Sequence, residues 1–259
     1  MESRKLLQLI LLCFLLTFST MYVVLGENVT TNRWSYEGEN SPDRWGEIDT
    51  KYKTCSTGLS QSPISLTSSN LVRKEAEIEI HYQPTPLVVN NNGHSIEVNY
   101  QPGSYAIINN KEYELKQFHF HTPSEHTLNG EKRDMELHLV HQDKEGKIAV
   151  IGIFIEEGET NLTLAKISDY LSIRERKQAV TENTIDASNF ITENASYFHY
   201  QGSLTTPPCS ENVIWSVVQE PLEASRQEIE EFIKLYSMNA RPIQQRNNRI
   251  VELIINQSS

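Results

Sequence analysis

Gln117-Phe118-His119-Phe120-His121 alternates polar and aromatic side chains without a break. An extended chain sends successive side chains to opposite faces, so Gln117, His119 and His121 share one face and Phe118 and Phe120 the other. The period of two marks a strand, with two imidazoles held by apolar anchors behind them. Glu136 and His138 stand on the polar face of a second alternating run, in which Met135, Leu137 and Leu139 point the other way. Two neighbouring strands of this kind can bring three imidazoles to one point. Gln117 and Glu136 each lie two residues from a histidine on its own face, which makes them candidate acceptors for the second ring nitrogens.

Three neutral imidazoles leave Zn2+ with its full charge and one open tetrahedral position. That is the catalytic pattern; structural sites are closed by four ligands and are usually Cys-rich. Spacing alone also fits three ordinary core or surface histidines.

Working outward, the chain reads as mainly β. Alternation recurs at Ile78, Ile80, Tyr82 and at Ile96, Val98, Tyr100. Asn109-Asn110 between apolar runs predicts a hairpin turn, because Asn tolerates positive φ. Ile148–Ile155 is apolar except for Gly152, as a central strand buried on both faces requires. Val213–Val218 reads the same way. Ser225 and Glu228 form a capping box ahead of Ile229, Phe232, Ile233 and Tyr236, which predicts a helix. Leu164, Ile167 and Leu171 suggest a second, weaker one. No repeat or linker interrupts the pattern, so one domain of mainly β (α+β) class is expected.

The 259 residues are 38% hydrophobic and 22% charged, a globular composition. With 23 Lys+Arg against 34 Asp+Glu the formal net charge is −11, which excludes nucleic acid as the main partner. Met1–Gly26 has the form of a secretory signal peptide: Arg4 and Lys5, then the apolar Leu6–Phe18, then small residues. Cleavage is expected after Gly26, with Ser19 as second choice; the alternative is an uncleaved anchor. The mature domain would be residues 27–259, with net charge −12 once Glu2, Arg4 and Lys5 are lost. It keeps Cys55 and Cys209. In an exported protein an even pair is most simply one disulfide, the alternative being two free buried thiols. Sequons occur at Asn28, Asn161, Asn194 and Asn256.

Four ordered blocks then become recognisable: Gln117–His121, Ser124-Glu125-His126-Thr127, Glu136-Leu137-His138-Leu139-Val140-His141, and Gly202-Ser203-Leu204-Thr205-Thr206-Pro207-Pro208. In order and spacing they resemble the signature blocks of the α-class carbonic anhydrases. The resemblance runs from Trp34-Ser35-Tyr36 through Gln61-Ser62-Pro63-Ile64 to Asn239 and Arg241-Pro242. It implies a large twisted, mostly antiparallel central sheet with a few short peripheral helices. It implies a zinc enzyme that hydrates carbon dioxide reversibly to bicarbonate and a proton, by attack of zinc-bound hydroxide.

The roles it implies fall on named residues. His119, His121 and His138 match the Zn2+ ligands. Thr205 matches the hydroxyl that orients the nucleophile, and Glu125 the carboxylate that takes the threonine's proton. Val140, Val150, Leu204 and Trp215 match the apolar substrate wall, and Thr206 the second pocket threonine. His94 matches the proton shuttle, and Tyr36 and Asn92 match residues that order its waters; Asn239 is grouped with them. Cys55 and Cys209 match the disulfide of secreted members. His126 and His141 match structural histidines; His81 and His199 have no counterpart.

The chain departs from the pattern at three positions. Thr122 and Ala240 stand where Trp is frequent, which removes apolar packing behind the site. Glu97 stands near the shuttle where an amide is usual. Facing the pocket it would raise the pKa of His94, although strict alternation puts residues 94 and 97 on opposite faces. Sulfonamide and anion inhibitors are expected, with no membrane partner after signal cleavage and a monomer and a homodimer equally open. The compartment is expected to be periplasm, extracellular space or a lumen. The rivals are a non-catalytic relative, which the retained ligands, Thr205 and Glu125 oppose, and a zinc esterase, which sequence separates poorly.

Overall fold

The computed structural model describes residues 34–69, 71–75, 78–172, 177–192 and 194–255. The signal-peptide reading of Met1–Gly26 and the sequons at Asn28 and Asn256 lie outside them.

Ten strands follow one another across a single sheet. In chain order they are Val72–Glu75 (β1), Thr85–Asn91 (β2), Ile96–Asn99 (β3), Lys111–His121 (β4), Met135–Gln142 (β5), Ile148–Glu157 (β6), Lys177–Ile185 (β7), Tyr197–Ser203 (β8), Glu211–Val218 (β9) and Glu252–Ile255 (β10). Across the sheet the order is β7-β2-β3-β4-β5-β6-β9-β8-β10-β1, and three short strands pair alongside. The neighbours are antiparallel except β6 with β9 and β10 with β1. The mostly antiparallel sheet expected from the resemblance is the sheet observed. Asn109 and Asn110, with φ of 52° and 61°, make the expected tight turn into β4.

The two faces have different tasks. Phe118, Phe120, Leu137, Leu139, Ile151 and Ile153 are all buried on the face away from the histidines. The helices Leu162–Ser168 and Arg226–Leu235 cover that face through Leu164, Ile167, Ile229 and Phe232. The Phe120 and Phe232 rings lie 4.7 Å apart. Each such side chain taken fully out of water stabilises the fold by roughly 1.5–3 kcal/mol. Both helices are capped as their sequences require: Ser225 and Glu228 close a capping box, and Asn161 accepts from the Thr163 and Leu164 amides. The expected apolar stripe is narrower than its spacing suggests, since Ile233 is 39% exposed and Tyr236 lies past the last turn.

A smaller cluster sits at the N-terminal side of the site. Trp45, Cys55 and Cys209 are buried together with Trp34, Tyr36, Ile48 and Tyr52 around them. Cys55 and Cys209 form the disulfide, joining segments 154 residues apart.

Candidate metal centre

The strand register builds the site. Pairing places Asn90, Glu97, His119, His138, Gly152 and Val217 in one row across β2, β3, β4, β5, β6 and β9. Directly paired residues project to the same face about 5 Å apart. A second row holds Gln117, Val140, Val150 and Trp215, and a third pairs His121 with Glu136. The period of two in β4 and β5 therefore delivers all three imidazoles and their neighbours to one place.

Each of the three rings has one nitrogen engaged. Gln117 Oε1 accepts from His119 Nδ1 at 2.9 Å, the Asn239 carbonyl from His121 Nδ1 at 2.7 Å, and Glu136 Oε1 from His138 Nε2 at 2.8 Å. These acceptors fix the tautomers, so the lone pairs fall on His119 Nε2, His121 Nε2 and His138 Nδ1. One ring nitrogen from each lies within 4.8 Å of the other two. His121 Nε2 is buried and has no hydrogen-bond partner. Burial, with the neighbouring imidazoles, lowers the pKa of His119; burial also lowers that of His121, the Glu125 charge opposing it. Neutral rings with converging lone pairs, that of His121 buried without a partner, fit a zinc ion.

The His126, Glu136 and His138 group is a different object. Glu136 Oε1 accepts from His126 Nδ1 at 2.7 Å as well as from His138, and Oε2 accepts from the Glu125 and His126 amides at 2.8 Å each. Burial alone would raise the Glu136 carboxyl, but His126 and His138 beside it hold it well below its ordinary value. Its oxygens are thus committed to aiming His138. Gly152 makes room for it: a Cβ there would meet Glu136 Oε1 at 3.2 Å and Val217 at 3.3 Å. The lone glycine of the apolar β6 run was the signal in the sequence for this close approach.

Glu125 is fully buried. Oε1 accepts from the Arg241 amide at 2.8 Å, while Oε2 has no hydrogen-bond partner and stands 3.6 Å from His121 Nε2. Thr205 is buried too, yet among the described residues its hydroxyl makes no hydrogen bond to Glu125. Its loop is tied elsewhere. Gln61 Nε2 donates to the Cys209 carbonyl at 3.1 Å, and the Cys209 amide to the Thr206 carbonyl at 2.8 Å. Val150 and Trp215 are buried in one apolar cluster, with Val140 and Leu204 partly exposed at its margin. Trp215 Nε1 is satisfied by the Ser203 carbonyl at 2.9 Å.

His94 lies in a turn outside β3, so strict alternation does not relate it to Glu97. Asn92 Oδ1 accepts from the His94 and Ser95 amides at 2.8 Å each. The His94 ring stacks on Trp34, centroids 3.7 Å apart. Burial, reinforced by Glu125 and opposed by Arg241, raises the Tyr36 phenol. Of the histidines without an expected role, His81 is exposed and pairs with Glu79, and His199 is buried against Ser216 and Asn109.

Two residues do more than their sequence context indicated. Asn239 orients His121 through its carbonyl and donates through Nδ2 to the His94 and Phe120 carbonyls at 3.0 Å each. Arg241 is buried, and its guanidinium holds the Gln61 side chain and the Ser62 and Cys55 carbonyls at 2.8–2.9 Å. Burial lowers its pKa to about 10, Glu125 and Tyr36 opposing. Only a long-range fold brings these partners together.

A mainly β domain with an open three-imidazole centre beside an apolar wall defines a class of zinc hydrolyase. A sequence model of the eukaryotic-type carbonic anhydrases matches residues 40–255. A carbonic anhydrase from Nostoc sp. is 42% identical over 253 residues, covering 96% of each chain. An α-carbonic anhydrase from Thermovibrio ammonificans, solved with the inhibitor sulfanilamide, superposes with a TM-score of 0.83 at 40% identity, over 85% of this chain and 98% of its own. A carbonic anhydrase from Chlamydomonas reinhardtii, solved with acetazolamide, gives 0.75 at 33% identity, over 85% and 99%. The chain belongs to the eukaryotic-type, α-class carbonic anhydrase family. It is a zinc enzyme that hydrates carbon dioxide reversibly to bicarbonate and a proton.

Proposed function

We propose that His119 Nε2, His121 Nε2 and His138 Nδ1 hold the Zn2+ of this reaction. The observation that carries the assignment is three converging lone pairs, each fixed by an acceptor on the ring's other nitrogen. When bound, Zn2+ lowers the pKa of a bound water towards neutrality, a behaviour for which carbonic anhydrase is itself the type case. Glu125 Oε2 has capacity to accept the Thr205 proton. A threonine that donates its proton there presents only lone pairs to the reacting water and so sets its orientation. Val140, Val150, Leu204 and Trp215 keep the neighbouring space dry for a small apolar substrate, with Thr206 at its polar edge. His94 receives the released proton and passes it to buffer from the rim, Tyr36 and Asn92 ordering the waters between.

The enzyme domain is residues 27–259, exported after loss of residues 1–26. The disulfide supports an oxidising compartment. No helix among the described residues is long and apolar enough to cross a membrane. Asn194, exposed in a turn at φ 60°, is then open to glycosylation in a host that performs it. Sulfonamides bind at the metal. Stopped-flow hydration of carbon dioxide, with zinc content measured on the same sample, tests the assignment. Full zinc with neither hydration nor sulfonamide binding overturns it.

A further inference from the structure

Glu97 occupies a position that the reaction leaves unexplained. The register puts it between Asn90 and His119 in the row that continues to His138. Its side chain therefore neighbours His119 from the β3 side, on the face that carries the imidazoles. Burial raises the pKa of Glu97, and the neighbouring Asn90 and Asn92 amides oppose the shift. Among the described residues no cation forms an ion pair with it.

The charge count shows what this acid changes. Zn2+ and Arg241 bring three positive charges to the site, and Glu125 and Glu136 bring two negative ones. Lys132 acts on both of those carboxylates as well, and Glu97 lowers the sum by one. A neutral substrate does not sense that difference to first order, whereas an anion does.

We propose that Glu97 is a specificity-determining residue, whose carboxylate disfavours anions in the cavity, bicarbonate included, and leaves the uncharged substrate untouched. A unit charge about 8 Å away, at an effective dielectric constant of about 30 to 60, weakens anion binding about threefold to tenfold. The reaction equilibrium fixes the ratio of kcat/KM in the two directions. A change confined to bound bicarbonate therefore moves KM and kcat of dehydration together and leaves both kcat/KM values unchanged.

The test rests on the metal-site reading above and separates its failure from this one. Isothermal titration of the zinc-loaded full chain with benzenesulfonamide and with 4-carboxybenzenesulfonamide gives a ratio of two Kd values. Binding at the metal cancels in that ratio and the added carboxylate remains. In Glu97→Gln the penalty on the carboxylated ligand falls about threefold to tenfold. In Glu97→Asp, which keeps the charge, it stays within about twofold of wild type, and about 1 M salt shrinks the wild-type penalty towards that of Glu97→Gln. Bicarbonate KM and dehydration kcat fall together in Glu97→Gln. An unchanged ratio in Glu97→Gln, or an equal fall in Glu97→Asp, overturns the proposal. Loss of benzenesulfonamide binding already in wild type overturns the metal-site reading and this proposal with it.

Discussion

His141→Gln should make the protein more resistant to acid relative to its own stability at neutral pH. His141 is buried on the face away from the metal site, its Nε2 accepting from the Tyr82 hydroxyl at 2.6 Å and its Nδ1 donating to the Ala149 carbonyl at 3.3 Å. Both nitrogens are satisfied in the neutral ring. Burial lowers its pKa from 6.5 to about 4, only partly opposed by the Ala149 and Leu139 carbonyls. A depressed folded pKa means that the unfolded chain takes up the proton first. The neutral ring's contribution is therefore intact above about pH 6.5 and is lost as pH falls towards 4, by about 3 kcal/mol in full. About 1 kcal/mol is gone at pH 5.5 and about 2 to 3 at pH 4.5. Glutamine offers an acceptor and a donor in similar places and does not titrate. Thermal melts of both proteins between about pH 7.5 and 4.5 should show the wild type losing roughly 5–10 °C more than the variant. Every other titrating group is common to the two, so it cancels in the difference. Parallel melting curves across that range would refute the reasoning.

Three further outcomes follow from the site. His138→Ala should lose zinc and activity together, whereas His94→Ala should keep its zinc and slow only in weak buffer; zinc content and buffer-dependent stopped-flow rates decide, and a zinc-free His94→Ala shows the shuttle to be misplaced. Gly152→Ala should cost about 1–3 kcal/mol through overpacking against Glu136 and Val217, and should weaken zinc about tenfold by disturbing the His138 acceptor; a chelator competition that matches wild type argues against it. Graded reduction of Cys55–Cys209 should abolish activity before the domain unfolds, because the bond ties the Thr205 loop to the N-terminal cluster; activity and unfolding that track together rule this out.

What the sequence made legible is what local periodicity controls. Alternation in β4 and β5 sufficed to put His119, His121, His138, Gln117 and Glu136 on one face, because a strand's side-chain period is fixed by its backbone. The capping box and the Asn109-Asn110 turn were legible for the same reason. Partners supplied from a distance were not. The acceptor for His121 is a backbone carbonyl 118 residues away, and a carbonyl carries no residue signature. The facing of Glu97 was left open for a related reason: alternation relates residues 94 and 97 only along a strand, and the strand begins at Ile96.

The substitutions of Thr122 and Ala240 for larger apolar residues raised the expectation of looser packing behind the site. The structure shows another solution. Thr122 is buried, its amide donates to Asn239 Oδ1 at 2.7 Å, and its hydroxyl donates to the Tyr236 carbonyl. Tyr236 in turn donates through its hydroxyl to Asn91 Oδ1. A polar chain thus links β2, the end of β4 and the segment that carries Asn239. Since Asn239 aims His121 and holds the His94 carbonyl, the rigidity that ring packing would give comes from directional bonds. Dispersion between large rings falls off gradually with displacement, whereas a buried acceptor left without its donor costs about 1–3 kcal/mol. Thr122→Val, which keeps the volume and removes the hydroxyl, should therefore loosen the Asn239 segment more than its small change in shape suggests. Hydrogen exchange at the Asn239 amide, which donates to the Thr122 carbonyl, should speed up in that variant, and an unchanged rate would place the rigidity elsewhere.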